Sequence, residues 1–305
     1  MAAAKRIHLS LSYMIATMNK FLTLSFSGAG HLLPYHLGVA TSLLKTSAAT
    51  NQKKLLPIHA VSGSSSGAIA ACLFVYFPNQ IQGYTDRFIS DGGRAMYHLK
   101  EMIYDNDDSN NNLVVDNDNT SLHIATTRCS DGSLQLFEFP SKLQSSVLDK
   151  DHLVNCLRAS CKIPPHFHPS DVLQKSTWLS SSYAIYPSQD GIIINGESHV
   201  DGGISAPAPP TPLDTKEGAC RVVISPISGP DYNNKSNTIR ISPKDNSWKL
   251  PIDIKCRGGF SIYSSMLNLK AMQNSAGLVS SSILQDWYEK GIDDGVRMID
   301  SMTNR

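Results

Sequence analysis

The chain is short of charge: 17% of its 305 residues are Asp, Glu, Lys or Arg, against roughly 25% in an ordinary soluble domain. The deficit points to much buried or lipid-facing surface. The charges present nearly cancel, with 27 basic and 26 acidic side chains, so no net field draws the protein to nucleic acid or to an anionic surface. No apolar run approaches the roughly 18–20 residues that a membrane span needs. The six cysteines, at 72, 129, 156, 161, 220 and 256, include no C-x-x-C pair. That spacing opposes a zinc site or a disulfide framework and suits reduced thiols of an intracellular protein. No acid precedes Asp86. The N-terminal MAAAKRIHLSLSYMIATMNK, with Lys5, Arg6 and Lys20, therefore has a faint organelle-targeting flavour, but its apolar region is poor. Residues 1–20 read as a short leader and 21–303 as a single domain. The sequons at Asn119 and Asn234 matter only in a secreted chain.

The elements that remain are ordered. FLTLSF (21–26) is a short apolar run ending at Ser-Gly-Ala-Gly and predicts a buried strand. Pro34 suits a first helical turn, and LLPYHLGVATSLLK continues with helical spacing. LPIHAV (56–61) predicts a second strand, and GAIAACLFVYF (67–77) an apolar helix stopped by Pro78. Two strand–turn–helix units in the first 80 residues argue for parallel strands joined by crossover helices. Asp131-Gly132 and Asn195-Gly196 are hairpin turns, the second within GIIINGESHV (191–200). Residues 147–160 predict an amphipathic helix ended by Ile163-Pro164-Pro165. CRVVISPI (220–227) and TIRIS (238–242) predict strands, and the stretch from about 261 to 303 predicts helix. The acidic, Asn-rich run 105–120 echoes a calcium loop through Asp105, Asp107, Ser109 and Asp116. It lacks the glycine at the sixth position and the Glu at the twelfth, and reads as a solvated loop without metal.

Chemistry concentrates in AVSGSSSGAIAA (60–71). A linker would have polar flanks, whereas this run lies between a strand and an apolar helix. A G-x-S-x-G turn in that setting places serine on a sharp bend with its hydroxyl clear of the sheet. Only Ser65 has glycine on both sides at two residues' distance, Gly63 and Gly67. The helix that follows aims its N-terminal dipole at that hydroxyl. Acyl transfer also needs donors for an oxyanion, and Gly28, Ala29 and Gly30 lie between the first strand and a helix, where amides lack partners. The alternative for that turn, a phosphate loop, lacks the third glycine of G-x-G-x-x-G and the Lys-Ser/Thr of a P-loop.

None of the ten histidines lies beyond residue 199, and none stands in a motif that recommends it as base. Asp201, on the Gly-rich turn after 191–200, is the better candidate, with His199 a rival on the same face. Asp91-Gly92-Gly93 carries the same letters but follows a helix-like segment and reads as a helix-ending turn.

SFSGAGHLLPYHLGVA (25–40), GSSSG (63–67), LRASCKIPP (157–165), VDGG (200–203) and WYEKGIDDGVRMI (287–299) together resemble the patatin-like phospholipase family, its adiponutrin-type branch above all. The resemblance implies a three-layer α/β/α fold with a mainly parallel central sheet and no cofactor. It also implies a Ser65–Asp201 dyad hydrolysing acyl esters of glycerolipids, with the Gly28–Gly30 backbone as oxyanion hole. The sequence departs from that pattern at Leu33 and Ala29, where glycine is common, and in a long 170–190 segment. A transacylase using the same dyad and a catalytically silent lipid-binding protein are the alternatives. The expected partner is a lipid at a membrane or lipid-droplet surface. Trp178, Tyr183, Ile185 and Tyr186, or Trp248 among Lys244, Lys249, Lys255 and Arg257, would face it.

Overall fold

FLTLSF forms β1 (Phe21–Phe26) and IHAVSGS forms β2 (Ile58–Ser64), both buried almost throughout. They pair in parallel, with Leu24 beside Val61 and Phe26 beside Gly63. Such continuous apolar strands are what a sheet covered on both faces requires. The computed structural model describes residues 21–49, 57–91, 93–105, 120–142, 146–173, 186–230, 237–277 and 279–303. The leader, the acidic loop from 106 to 119, both sequons and Trp178, Tyr183 and Ile185 lie outside these residues.

Helix α1 (Leu33–Ala49) joins β1 to β2, and α2 (Ser66–Tyr76) follows β2 directly. Every residue of α2 is buried, the expected fate of a helix that is apolar all round. It is succeeded by α3 (Ile81–Ser90), α4 (Ala95–Asp105), the strands β3 (Ser121–Arg128) and β4 (Leu134–Phe139), and α5 (Val147–Ser160). Then come β5 (Ile192–Ile194), β6 (Glu197–Asp201), β7 (Ala219–Ile224) and β8 (Thr238–Ile241). The order across the main sheet is β5-β6-β3-β2-β1-β7-β8, with β4 also paired to β3. The run from β3 to β8 is parallel; β4, β5 and β6 add antiparallel pairs at one side. The sheet with its flanking helices is the expected α/β/α arrangement. Both hairpin turns form, with Gly132, Asn195 and Gly196 at positive φ.

The expectation of a largely helical stretch from 261 needs correcting. Ser261–Ser265 is a strand, β10, paired antiparallel with β9 (Lys249–Lys255) in a separate two-stranded sheet. Helices α6 (Met266–Ala276) and α7 (Ser281–Thr303) come only after it. Pro251 disguised β9, because proline marks a segment as non-strand unless the strand has a free edge.

Helix α7 lies on α1 with glycine at the contact on both sides. A Cβ at Gly38 would fall 2.2 Å from the Tyr288 carbonyl, and one at Gly291 would fall 2.1 Å from that of Tyr35. The Tyr35 hydroxyl donates to buried Asp294 at 2.7 Å. This pair fixes α1, and so the turn that precedes it.

Candidate active site

Ser65 is the single residue between β2 and α2, half-buried, with φ 52° and ψ −132°. Positive φ is costly for a residue bearing a Cβ, of order 1–3 kcal/mol, and persists only where the surroundings impose it. The flanking glycines show how. A Cβ on Gly63 would lie 2.2 Å from the Gly67 carbonyl, and one on Gly67 would lie 2.3 Å from the Phe26 carbonyl. Strand, helix and the end of β1 thus meet at a spacing that admits only hydrogen. The three serines have different duties. Ser64 donates its hydroxyl to the Pro207 carbonyl at 2.8 Å, and Ser66 Oγ accepts the Ala29 amide at 3.1 Å. Ser65 is the one whose hydroxyl bears on Asp201, lowering that carboxyl against the effect of burial.

Strand registry explains why Asp201 is there. One edge of β3 is taken by β4 over Leu122–Thr127. The other is shared: β2 pairs along it until Ser64 stands opposite Ala125, and β6 comes the opposite way until Asp201 stands opposite Thr126. The two strands therefore meet end to end, and the residues at their tips are neighbours. Gly202 permits the abutment, since a Cβ there would fall 2.1 Å from the Ala125 carbonyl.

Asp201 is buried, 6% exposed as a residue. Burial pushes it up to about 6, although hydrogen bonds from the Ser65 hydroxyl and the Gly203 amide pull the other way. The Gly203 N–H reaches Oδ1 at 2.7 Å. At neutral pH the group is thus an ionised carboxylate in a desolvated place, a base stronger than an ordinary aspartate.

Residues 28–30 lie against the elbow: a Cβ on Gly28 would stand 3.4 Å from that of Ser65. Two amides expected to be without partners have them here. Gly28 N–H donates to the Pro207 carbonyl at 2.8 Å, and Ala29 N–H to Ser66 Oγ. Gly30 opens a 3₁₀ turn at φ 52°, so its amide has no acceptor within that turn.

Three groups escaped sequence reasoning. The Ser160 hydroxyl, fully buried at the end of α5, accepts the Ser65 amide at 2.9 Å. His36 Nε2 meets the Ser27 carbonyl at 2.8 Å, which assigns the proton to Nε2 and leaves buried Nδ1 without a partner. Burial lowers His36 to about 4, so the ring is neutral. Finally, the carbonyls of Pro207 and Pro209 receive the hydroxyls of Ser64, Ser25 and Ser62 and the Gly28 amide. Ala206-Pro-Ala-Pro-Pro is a rail of acceptors because proline cannot donate. Only the alternation of proline could have signalled it.

The rival base His199 is turned elsewhere, with Nδ1 3.0 Å from Thr126 Oγ1 and its ring edge-on to Phe137. His98 binds Asp91, His166 binds Asp190, and His123 contacts Ser121. All six cysteines are free thiols, and no cluster able to hold a metal occurs among the described residues.

A strand–helix elbow beside a buried carboxylate, with helices flanking a mostly parallel sheet, marks a protein of the layered α/β class. Comparison with known proteins makes that specific. The patatin-like phospholipase profile matches residues 24–214, more than half of the chain, and the chain belongs to that family of lipid hydrolases. It is 24% identical over 287 residues to human patatin-like phospholipase domain-containing protein 4, covering 92% of this chain and 97% of that one. Among solved structures, VipD from Legionella pneumophila superposes with a TM-score of 0.41 at 12% identity, over 93% of this chain and 67% of that chain.

Proposed function

We propose that residues 21–303 act as one acyl-hydrolase domain that cleaves carboxylic esters of glycerolipids by a Ser65–Asp201 dyad. The observation that carries this reading is the end-to-end meeting of β2 and β6 on β3, which sets the Ser65 elbow beside the buried carboxyl of Asp201. As Ser65 Oγ attacks the ester carbonyl, its proton passes to the Asp201 carboxylate. The tetrahedral oxyanion is held by amides of the 28–30 loop, with the dipole of α2 behind it. Gly30 offers an amide directly, and Ala29 does so on exchanging Ser66 Oγ for the oxyanion. Collapse expels the alcohol, which takes the proton from Asp201 and leaves an acyl-serine. Water then attacks the acyl carbonyl, giving its proton to Asp201, and the carboxylic acid leaves as Ser65 recovers its own.

Substrates of this kind gather at lipid surfaces, and the reading includes peripheral contact with a membrane or lipid droplet. No helix among the described residues is long and apolar enough to cross a membrane, and Trp248 is 66% exposed. The test is release of p-nitrophenol from a p-nitrophenyl acyl ester, together with fluorophosphonate labelling. Wild-type protein turns over and is labelled at Ser65, while Ser65→Ala does neither. Full activity in Ser65→Ala refutes the dyad.

A further inference from the structure

The last turn of α5 touches both halves of the dyad. Ser160 Oγ accepts the Ser65 N–H at 2.9 Å, and two residues later the Lys162 carbonyl accepts the Asp201 N–H at 2.9 Å. Neither bond belongs to a helix or a sheet ladder. Between them they span β2 and β6, which meet end to end without a ladder joining one tip to the other. The registry along β3 sets Ser64 and Asp201 in line; it does not set the rotation of the Ser65 peptide, which has left the sheet at positive φ.

We propose that residues 160–162 are the spacer of the dyad, with Ser160 a positioning residue that fixes the Ser65 peptide so that its hydroxyl meets Asp201. The inference rests on the dyad reading and adds to it a residue that touches no substrate. The local structure favours this role. The Ser160 side chain is 0% exposed, and its α5 packs against β3, β5 and β6, so the acceptor is anchored to the strands that carry Asp201. A hydroxyl in such a place is held to a single geometry by its packing, and removing it leaves the Ser65 amide buried without a partner.

The consequence is readable because the Ser65 hydroxyl is one of the two hydrogen bonds that hold the Asp201 carboxyl down against burial. If Ser65 swings away, Asp201 loses that restraint and titrates higher. The titratable group coupled to Asp201 at the end of α5 is the thiol of Cys161, the residue just past the helix. Burial, aided by Asp201 itself, pushes that thiol far above its usual range, so it stays neutral and does not confuse the profile. His199, on the same strand, is directed to Thr126.

The experiment is Ser160→Ala in the full chain, assayed with a p-nitrophenyl ester from pH 4.5 to 8.5 and by the rate of fluorophosphonate labelling. Expected are a kcat about tenfold lower or worse at unchanged KM, labelling slowed to match, and an acid limb of kcat/KM moved up by about half a pH unit or more. An acid limb in its original place, with losses no larger than the unfolded fraction, overturns the proposal. Should Ser160→Ala fail to fold, Ser160→Cys keeps the volume with a weak acceptor and is judged by the same two readouts. A dyad that is itself wrong shows differently, as activity retained in Ser65→Ala.

Discussion

Asp-Gly-Gly occurs twice, at 91–93 and at 201–203, and the two aspartates have opposite chemistry. Both accept the amide two residues on, Gly93 at 3.2 Å and Gly203 at 2.7 Å. Asp91 caps the end of α3 at the surface. Desolvation is the largest single influence on it and would raise it, but hydrogen bonds from His98 and the Arg94 and Gly93 amides together outweigh this and hold it below the ordinary carboxylate range. Asp201 ends a strand that abuts another beneath a buried elbow, and there burial wins, driving it up to about 6. The same three letters make a helix-ending turn or a buried, raised carboxyl of the kind the proposed base needs, according to how much water the fold leaves around it.

The comparison can be broken at several points. Asp201→Asn should lower kcat by about a thousandfold or more, the scale seen when one member of a catalytic pair is removed. The melting temperature should not fall, since the substitution removes a buried charge. Asp91→Asn should leave turnover of the same ester within about twofold, surface substitutions being near neutral. Gly203→Ala places a Cβ 3.0 Å from Asp201 Oδ1 and should reduce kcat about tenfold with little change in thermal unfolding. Gly93→Ala should do the reverse: its φ of +107° costs a residue with a Cβ about 1–3 kcal/mol, read as lower stability at unchanged kcat. Acid should act through Asp201 alone. A base titrating at about 6 loses activity as pH falls, about tenfold in kcat/KM between pH 7 and 5. The sign for stability is opposite, because raising an acid in the folded state makes the fold bind its proton more tightly. Thermal unfolding through this group should move upward as pH drops from 7 toward 5. A flat rate profile over that interval would remove the distinction between the two turns.

Much of this was legible in the residues. Ser65 stood out because two glycines flanked it between a strand-like run and an apolar helix. Residues 147–160 carried an amphipathic pattern ended by Ile163-Pro164-Pro165, and α5 spans those residues. Both Asp-Gly-Gly turns declared their context through what preceded them, a helix pattern in one case and an Asn-Gly hairpin in the other. What stayed hidden depends on contacts distant in sequence. Nothing local to Ser160 shows that its hydroxyl lies beneath residue 65, 95 positions away. The partners of the Gly28 and Ala29 amides, Pro207 and Ser66, come from elsewhere in the chain, so amides at the start of a turn looked vacant when read locally. The meeting of β2 and β6 along one edge of β3 is likewise a property of the whole sheet. The hairpin of β9 and β10 was missed for a local reason, the proline within the first strand and the brevity of the second.

The glycine-lined seating of α7 on α1 ties the first helix to residues some 250 positions further along the chain. Tyr35, Gly38 and Ser42 lie on a helix made early, while the backbone and side chains that close over them come from residues 288–295. A side chain larger than hydrogen at Gly38 or Gly291 would therefore lever α7 off α1 along this seam.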